Sequence, residues 1–303
     1  MSSFGNQFKG IAPWQQKHWD IRAAANFIGG GTGTGFLLLG AITAYLGANV
    51  LWLALVGLGL VGAGLFFVWL EIGRPWRSFN VFFNPGTSWM TREGMVAMPL
   101  FLSGLGAAWL NDVPTFLVTA FLGMVFLFCQ AQILLAAKGI PAWRHGLILP
   151  LIILSGLTEG SGLFLVLGPF ITGALPGFVP PLFLMLLALR WFVFRRYVAS
   201  LAKGGAPLKA VKELKKFSGL FFIFGHLMPT VFLALGFMLM SNPVLVAFLF
   251  GLAGLMAMFA GWGFKVVLIN KVAFNQGFAI PLSPTRGKNQ AGPGLAPGWG
   301  EKA

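Results

Sequence analysis

Long apolar runs separated by short polar connections occupy most of this chain from Arg22 onward. A helix needs about 20 apolar residues to cross about 30 Å of hydrocarbon, and backbone groups in lipid must be satisfied within the segment, so runs of this length predict spanning helices. The pattern predicts eight of them, at 22–46, 50–70, 93–110, 113–136, 146–168, 177–198, 217–240 and 243–269. Short strands of alternating polarity are absent from the sequence pattern, which excludes an outer-membrane barrel. The expected fold is an all-α integral membrane protein with eight transmembrane helices.

Composition agrees with lipid as the solvent: 57% of the 303 residues are hydrophobic and 9% are charged, too few to cover the surface of a soluble domain. The charged minority is lopsided, with 21 Lys and Arg against 7 Asp and Glu and a net charge of +14. With eight spans, all the cations fall on the side of the N-terminus. Lys9, Lys17 and Arg22, then Arg74, Arg77 and Arg92, then Lys138 and Arg144 share that side, while the connections near Ala48, Asp112, Pro176 and Asn242 carry none. The positive-inside rule assigns the cationic side, and with it both termini, to the cytoplasm of a bacterial inner membrane. Topology rather than nucleic acid explains the charge. The densest block, from Arg190 through Arg195, Arg196, Lys203, Lys209, Lys212 and Lys215 to Lys216, is expected in a cytoplasmic loop that also suits anionic lipid or an acidic partner. The first 21 residues, with Trp14, Gln15, Gln16 and Trp19, lack the apolar core of a cleavable signal peptide, so none is expected.

Redox-centre ligands are scarce. Cys129 is the one cysteine and lies in the fourth span, so the chain holds no iron-sulfur cluster of its own. Of His18, His145 and His226 only His226 lies in a span, which leaves no histidine pair for a haem. The run from Gly29 to Gly35 lacks the lysine of a phosphate loop. Gly29 with Gly33, and Gly31 with Gly35, instead form small-residue pairs one turn apart that admit a neighbouring helix backbone.

The connection between the second and third spans concentrates the chemistry. It reads Leu70-Glu71-Ile72-Gly73-Arg74-Pro75-Trp76-Arg77-Ser78-Phe79, then Asn84-Pro85-Gly86-Thr87-Ser88-Trp89-Met90-Thr91-Arg92-Glu93. Tryptophans and arginines of this kind suit an interfacial belt. Glu71 and Glu93 fit that reading less well, because a carboxylate at the edge of a span is costly unless paired or proton-active. Glu71, Gly73, Arg74, Pro75 and Arg77, followed by Thr87, Ser88, Trp89, Met90 and Arg92, resemble the signature of the NrfD-like family of polysulfide and dimethyl sulfoxide reductase membrane anchors. The glycine-rich first span, the eight-span count and Gly277-Phe278-Ala279-Ile280-Pro281 are similar as well, so the resemblance covers roughly Trp14 to Arg286.

The resemblance implies a haem-free anchor of two four-helix bundles, 22–136 and 146–269, joined by a cytoplasmic loop at 137–145 and flanked by cytoplasmic segments at 1–21 and 270–303. It implies electron exchange between a membrane quinone, ubiquinone or menaquinone, and an iron-sulfur subunit that connects to a molybdenum or tungsten pterin enzyme. Arg74, Arg77, Trp89 and Arg92 would face that partner, Glu93 falls at a position implicated in quinol binding, and Glu71 occupies the family's position for a histidine or acidic residue. Many relatives place this face outside the cytoplasm; here the cations place it inside. The opening Pro13-Trp14-Gln15-Gln16 with Trp19-Asp20 and Arg22 to Ile28 resembles the anchors of phenylacetyl-CoA:acceptor oxidoreductases, and anchors of cytoplasm-facing sulfite dehydrogenases are similar.

Quinone reduction takes two electrons and two protons, so its site needs hydrogen-bond partners and a proton route. Glu93, Glu71, His226, Asp20 and Asn26 are the candidates, in that order. Each of the last three has a plainer reading, Asp20 as a helix N-cap and Asn26 and His226 as interhelical hydrogen-bonding groups. Glu159, in Thr158-Glu159-Gly160-Ser161-Gly162, is expected near the bilayer midplane, where it either relays protons or staples helices without a visible chain of partners. A secondary transporter remains the alternative of another class, and it would favour interrupted helices meeting at a midplane site. The tail from Pro281, rich in Gly and Pro, is expected to order only on a partner.

Overall fold

A computed structural model describes residues 10–72, 75–204 and 206–279. The molecule is built of helices: α1 (Ile21–Tyr45), α2 (Val50–Glu71), α3 (Trp89–Leu110), α4 (Val113–Ala136), α5 (Ile148–Thr172), α6 (Val179–Lys203), α7 (Leu208–Phe222), α8 (Met228–Met238) and α9 (Pro243–Val266). A 3-10 helix at Pro75–Phe83 precedes α3. A π turn at Ile223–Leu227 joins α7 to α8, and another at Val267–Lys271 extends α9. Gly10–Ile11 pairs antiparallel with Phe278–Ala279, so the chain on either side of the helices returns to the same end.

Polar residues set the helix starts. Asn49, Ser88, Asp112 and Asn242 each cap a helix by accepting a backbone N–H of its first turn, and Asn111 closes α3 at φ 50°. The Ser88 cap explains why α3 begins at Trp89 rather than at residue 93. Seven helical stretches among the described residues are long and apolar enough to cross a membrane: α1 to α5, the α7–α8 unit and α9 with its π turn. The sequence pattern predicted eight. The difference is α6, which has the length of a span but carries Arg190, Arg195, Arg196 and Lys203. It also overturns the expectation that Arg190 belongs to a loop, because the helix runs unbroken past it.

Helix α1 is the hub, packed on α2, α4 and α5. A Cβ at Gly29 would lie 2.5 Å from the Leu60 carbonyl oxygen, and one at Gly33 would lie 2.6 Å from that of Gly57. Gly31 and Gly35 face Gly156 of α5. The two pairs predicted from spacing therefore admit two different helices, one on each side of α1. The buried apolar residues form two clusters. One gathers the parts of α1, α2, α3, α4, α5, α6 and α9 near the cation-free connections; the other gathers the cation-rich ends. Between them lies a layer of buried polar side chains that includes Thr32, Gln130, Glu159, Arg190 and Lys265.

Candidate functional site

Two polar constellations are built on α1. The first borders a cavity of about 560 Å³ between α2, the 3-10 helix and α3. Its wall is apolar, with Leu65, Phe82, Met98 and Phe101 among the lining residues, and its carboxylates are Glu71 and Glu93. Glu71 ends α2 and is half-buried; Glu93 lies in the first turns of α3 and is 5% exposed. Asn26 of α1 donates to Glu93 Oε1 at 3.2 Å, and Gln130 of α4 donates to the Asn26 carbonyl at 3.0 Å. A buried carboxylate costs several kcal/mol unless neutralised or hydrogen-bonded, and the Asn26 amide offsets part of that cost at Glu93.

The cavity rim is tied together by cations that serve backbone. Arg22 bridges to Asp20 at 2.8 Å and donates to the Leu70 carbonyl at 2.8 Å, fastening the start of α1 to the end of α2. The guanidinium of Arg22 beside Asp20 holds the Asp20 carboxyl below its ordinary range. Arg92 stacks on Trp89 at 4.1 Å and donates to the carbonyls of Pro85 and Gly86. It shapes the loop entering α3 instead of pairing with either glutamate. Trp19, stacked on Trp143 at 5.0 Å, also lines the cavity.

The second constellation lies on the other side of α1. Lys265 donates to Glu159 Oε2 at 2.6 Å and to the Phe27 carbonyl at 2.8 Å, with both charged side chains fully buried. Thr32 donates to the same carboxylate oxygen at 2.9 Å and accepts from the Trp262 indole at 2.9 Å. Arg190, also fully buried, donates to the carbonyls of Gly225 and Ala257 and to His226 Nε2. The Gly225 carbonyl is open because its helical partner four residues on is Pro229, which has no N–H. At Gly261 a Cβ would sit 2.6 Å from Glu159 Oε1 and 3.0 Å from Arg190 Nη1, so one missing side chain makes room for both.

Of the five residues singled out for proton handling, the structure brings Glu93, Glu71 and Asn26 together and sets Asp20 at the rim as the N-cap of α1. His226 is placed elsewhere. Its Nδ1 faces the Phe221 carbonyl at 2.9 Å and its Nε2 accepts from Arg190. Glu159, expected either to relay protons or to staple helices, is held by Lys265 of α9 and Thr32 of α1. Arg74 lies outside the described residues, as does the tail from Ile280; of Arg77 only the backbone, in the 3-10 helix, is described. Gln130, Arg190 and Lys265 were not anticipated. A lysine inside an apolar span beside glycines was the available signal for Lys265, whereas Gln130 looks like any polar residue in a helix until α1 is packed against it.

Fold and sites define a multi-pass helical membrane protein with two buried polar centres flanking one glycine-rich helix. Compared with known proteins, the chain matches no family model and no curated protein.

Proposed function

We propose that this chain is the quinone-reactive membrane anchor of a cytoplasm-facing oxidoreductase of the NrfD-like type. The observation that carries the reading is Glu93, a buried carboxylate hydrogen-bonded by Asn26 at the inner wall of an apolar cavity whose rim holds Glu71. A quinone suits the cavity by chemistry: apolar walls for a ring and an isoprenoid tail, one carboxyl at depth for a carbonyl oxygen, and a second toward the aqueous edge. Electrons arrive from an iron-sulfur subunit on the cationic face, itself linked to a molybdenum or tungsten pterin enzyme, and the quinone takes up two electrons and two protons. Glu93 would hold the proton given to one carbonyl oxygen and Glu71 the proton given to the other, both replenished from water, while Asn26 fixes the orientation of the Glu93 carboxyl.

In this reading α6 is the eighth span, with Arg190 satisfied inside the protein rather than facing lipid. The eight helices form two four-helix bundles, and both termini lie in the cytoplasm of a bacterial inner membrane. The signature around Glu71 and Ser88 supports the family, and the segment from Pro13 to Ile28 supports phenylacetyl-CoA as the substrate oxidised by the complex. A transporter is the second reading. It is favoured by the buried Glu159–Lys265 pair beside the π turns that interrupt α7–α8 and extend α9.

Gentle solubilisation and purification of the chain from native membranes, with mass spectrometry of its partners and metals, tests the reading. An iron-sulfur protein and a molybdenum or tungsten enzyme are expected in fixed ratio, and recovery of the chain alone moves the conclusion to transport. In the complex, Glu93→Gln should lower quinone reduction by about a hundredfold or more, the usual scale for loss of a general acid, while partner stoichiometry is unchanged. Normal turnover in that variant removes Glu93 from the site.

A further inference from the structure

Helix α7 carries a stripe that changes character along its length. Lys209, Lys212, Lys216 and Leu220 follow one another along α7 at spacings of three or four residues, which places them along one face, and Phe224 of the π turn joins Leu220 in lining the same cleft. All three lysines are exposed, and among the described residues none forms an ion pair. Glu213 lies on the same side, half-buried and likewise without an ion pair, so the cluster keeps two net positive charges. The opposite face, with Ala210, Val211, Leu214 and Phe221, is buried in the protein.

The lower half of the stripe opens into a groove. Phe217, Leu220 and Phe224 face Leu252, Met256 and Phe259 of α9 across an apolar cleft of about 580 Å³. Gly263 keeps it open, since a Cβ there would already stand 3.3 Å from the Phe217 ring. Lys216 is four residues, about 6 Å along the helix, from Leu220. A ligand that fills the groove and meets the lysines must join an apolar chain to an anionic head in one molecule. An acidic protein segment satisfies the lysines but not a cleft inside the hydrocarbon layer; a neutral lipid satisfies the cleft but not the lysines.

We propose that the groove between α7–α8 and α9 is a binding site for an anionic glycerophospholipid, with an acyl chain against Phe217, Leu220, Phe224 and Met256 and the headgroup phosphate at Lys209, Lys212 and Lys216. The site is on the far side of α9 from α1 and does not depend on the quinone reading. Lipid bound there would brace α7 against α9 beside the π turn that holds His226.

The test uses the full chain with whatever partners accompany it, stripped of lipid in detergent and titrated with phosphatidylglycerol or phosphatidylcholine of identical acyl chains. Retained lipid is counted by native mass spectrometry. Phosphatidylglycerol should be retained preferentially. Lys209→Gln/Lys212→Gln/Lys216→Gln should weaken that preference by about a hundredfold, at about fivefold for each lysine near a headgroup. Met256→Trp, which fills the cleft from its lipid-facing side, should abolish retention of phosphatidylglycerol at an unchanged melting temperature. Equal retention of both lipids by the unaltered chain overturns the proposal. So does undiminished phosphatidylglycerol binding by Met256→Trp, or recovery of a quinone rather than phospholipid from the groove.

Discussion

Arg190 is a fully buried guanidinium with three nitrogens committed, to the Gly225 and Ala257 carbonyls and to His226. Removing one partner from such a network strands the others, whereas removing both partners of a buried pair can be nearly neutral. Lys265→Met leaves the Glu159 carboxylate buried without a cation, and a loss of about 3–5 kcal/mol is expected, read as a lowered melting temperature in detergent. Glu159→Gln combined with Lys265→Met should recover most of it. If the double variant is as unstable as the single one, the pair is not an electrostatic unit. Glu93 was legible in the sequence as a candidate because its carboxylate follows a loop signature, and the structure places it at the cavity. The network around Glu159 was not, because Thr32, Arg190, and Lys265 with Trp262 come from three helices far apart in the chain.

At the scale of elements, the contact between α1 and α2 depends on absent side chains. Gly33→Leu would drive methyl groups into the Gly57 carbonyl, where a single Cβ is already too close at 2.6 Å. Helix separation, and loss of the monodisperse folded protein on size exclusion, is the expected result. The connection between α4 and α5 has its own pin: His145 accepts from the Leu147 N–H at Nδ1, and its Nε2 lies 2.8 Å from Ser200 Oγ of α6. With Nδ1 accepting, the proton of the neutral ring is on Nε2 and donates to Ser200. Burial lowers the His145 pKa below its ordinary 6.5. The unfolded chain therefore binds a proton there at higher pH than the folded one. The stability this neutral ring contributes is complete above about pH 6.5 and declines as pH falls toward the folded pKa. Melting temperature measured between about pH 7.5 and pH 5 should fall in the unaltered protein and fall less in His145→Gln. The starts of α2, α4 and α9 were readable from where the apolar runs begin, at 50, 113 and 243; the start of α7 at Leu208 was not, because its first turns are too cationic to register as part of a span.

At the scale of the molecule, the connections alternate between cation-rich and cation-free ends, and the two termini of the described chain meet at the cation-rich one. Gln16 and Trp14 bond to Ala273 and Asn275 there. Single cysteines placed at Ala174, between α5 and α6, and at Lys209, in a chain whose Cys129 is replaced by Ala, should label from opposite sides of sealed membrane vesicles. Labelling from the same side would break the eight-span topology by removing α6 from the membrane. The arrangement of the core was not legible in advance. The buried apolar residues divide by depth into two clusters on either side of a polar layer, and each cluster draws on helices from both halves of the chain.

The sequence by itself determined the solvent, the helical class, the small-residue faces of α1 and the two carboxylates at the cavity. Each of these follows from run length, from spacing along one helix or from position at the end of a run. Tertiary structure alone decided that Arg190 is buried against the Gly225 and Ala257 carbonyls, that His226 serves Arg190 instead of the cavity, that Asn26 and Gln130 support Glu93, and that Glu159 has a cation. The physical reason is that lipid forbids an unpaired buried charge but does not specify its partner. The partner is chosen by which helix faces meet, and that is settled by long-range packing around the glycines of α1.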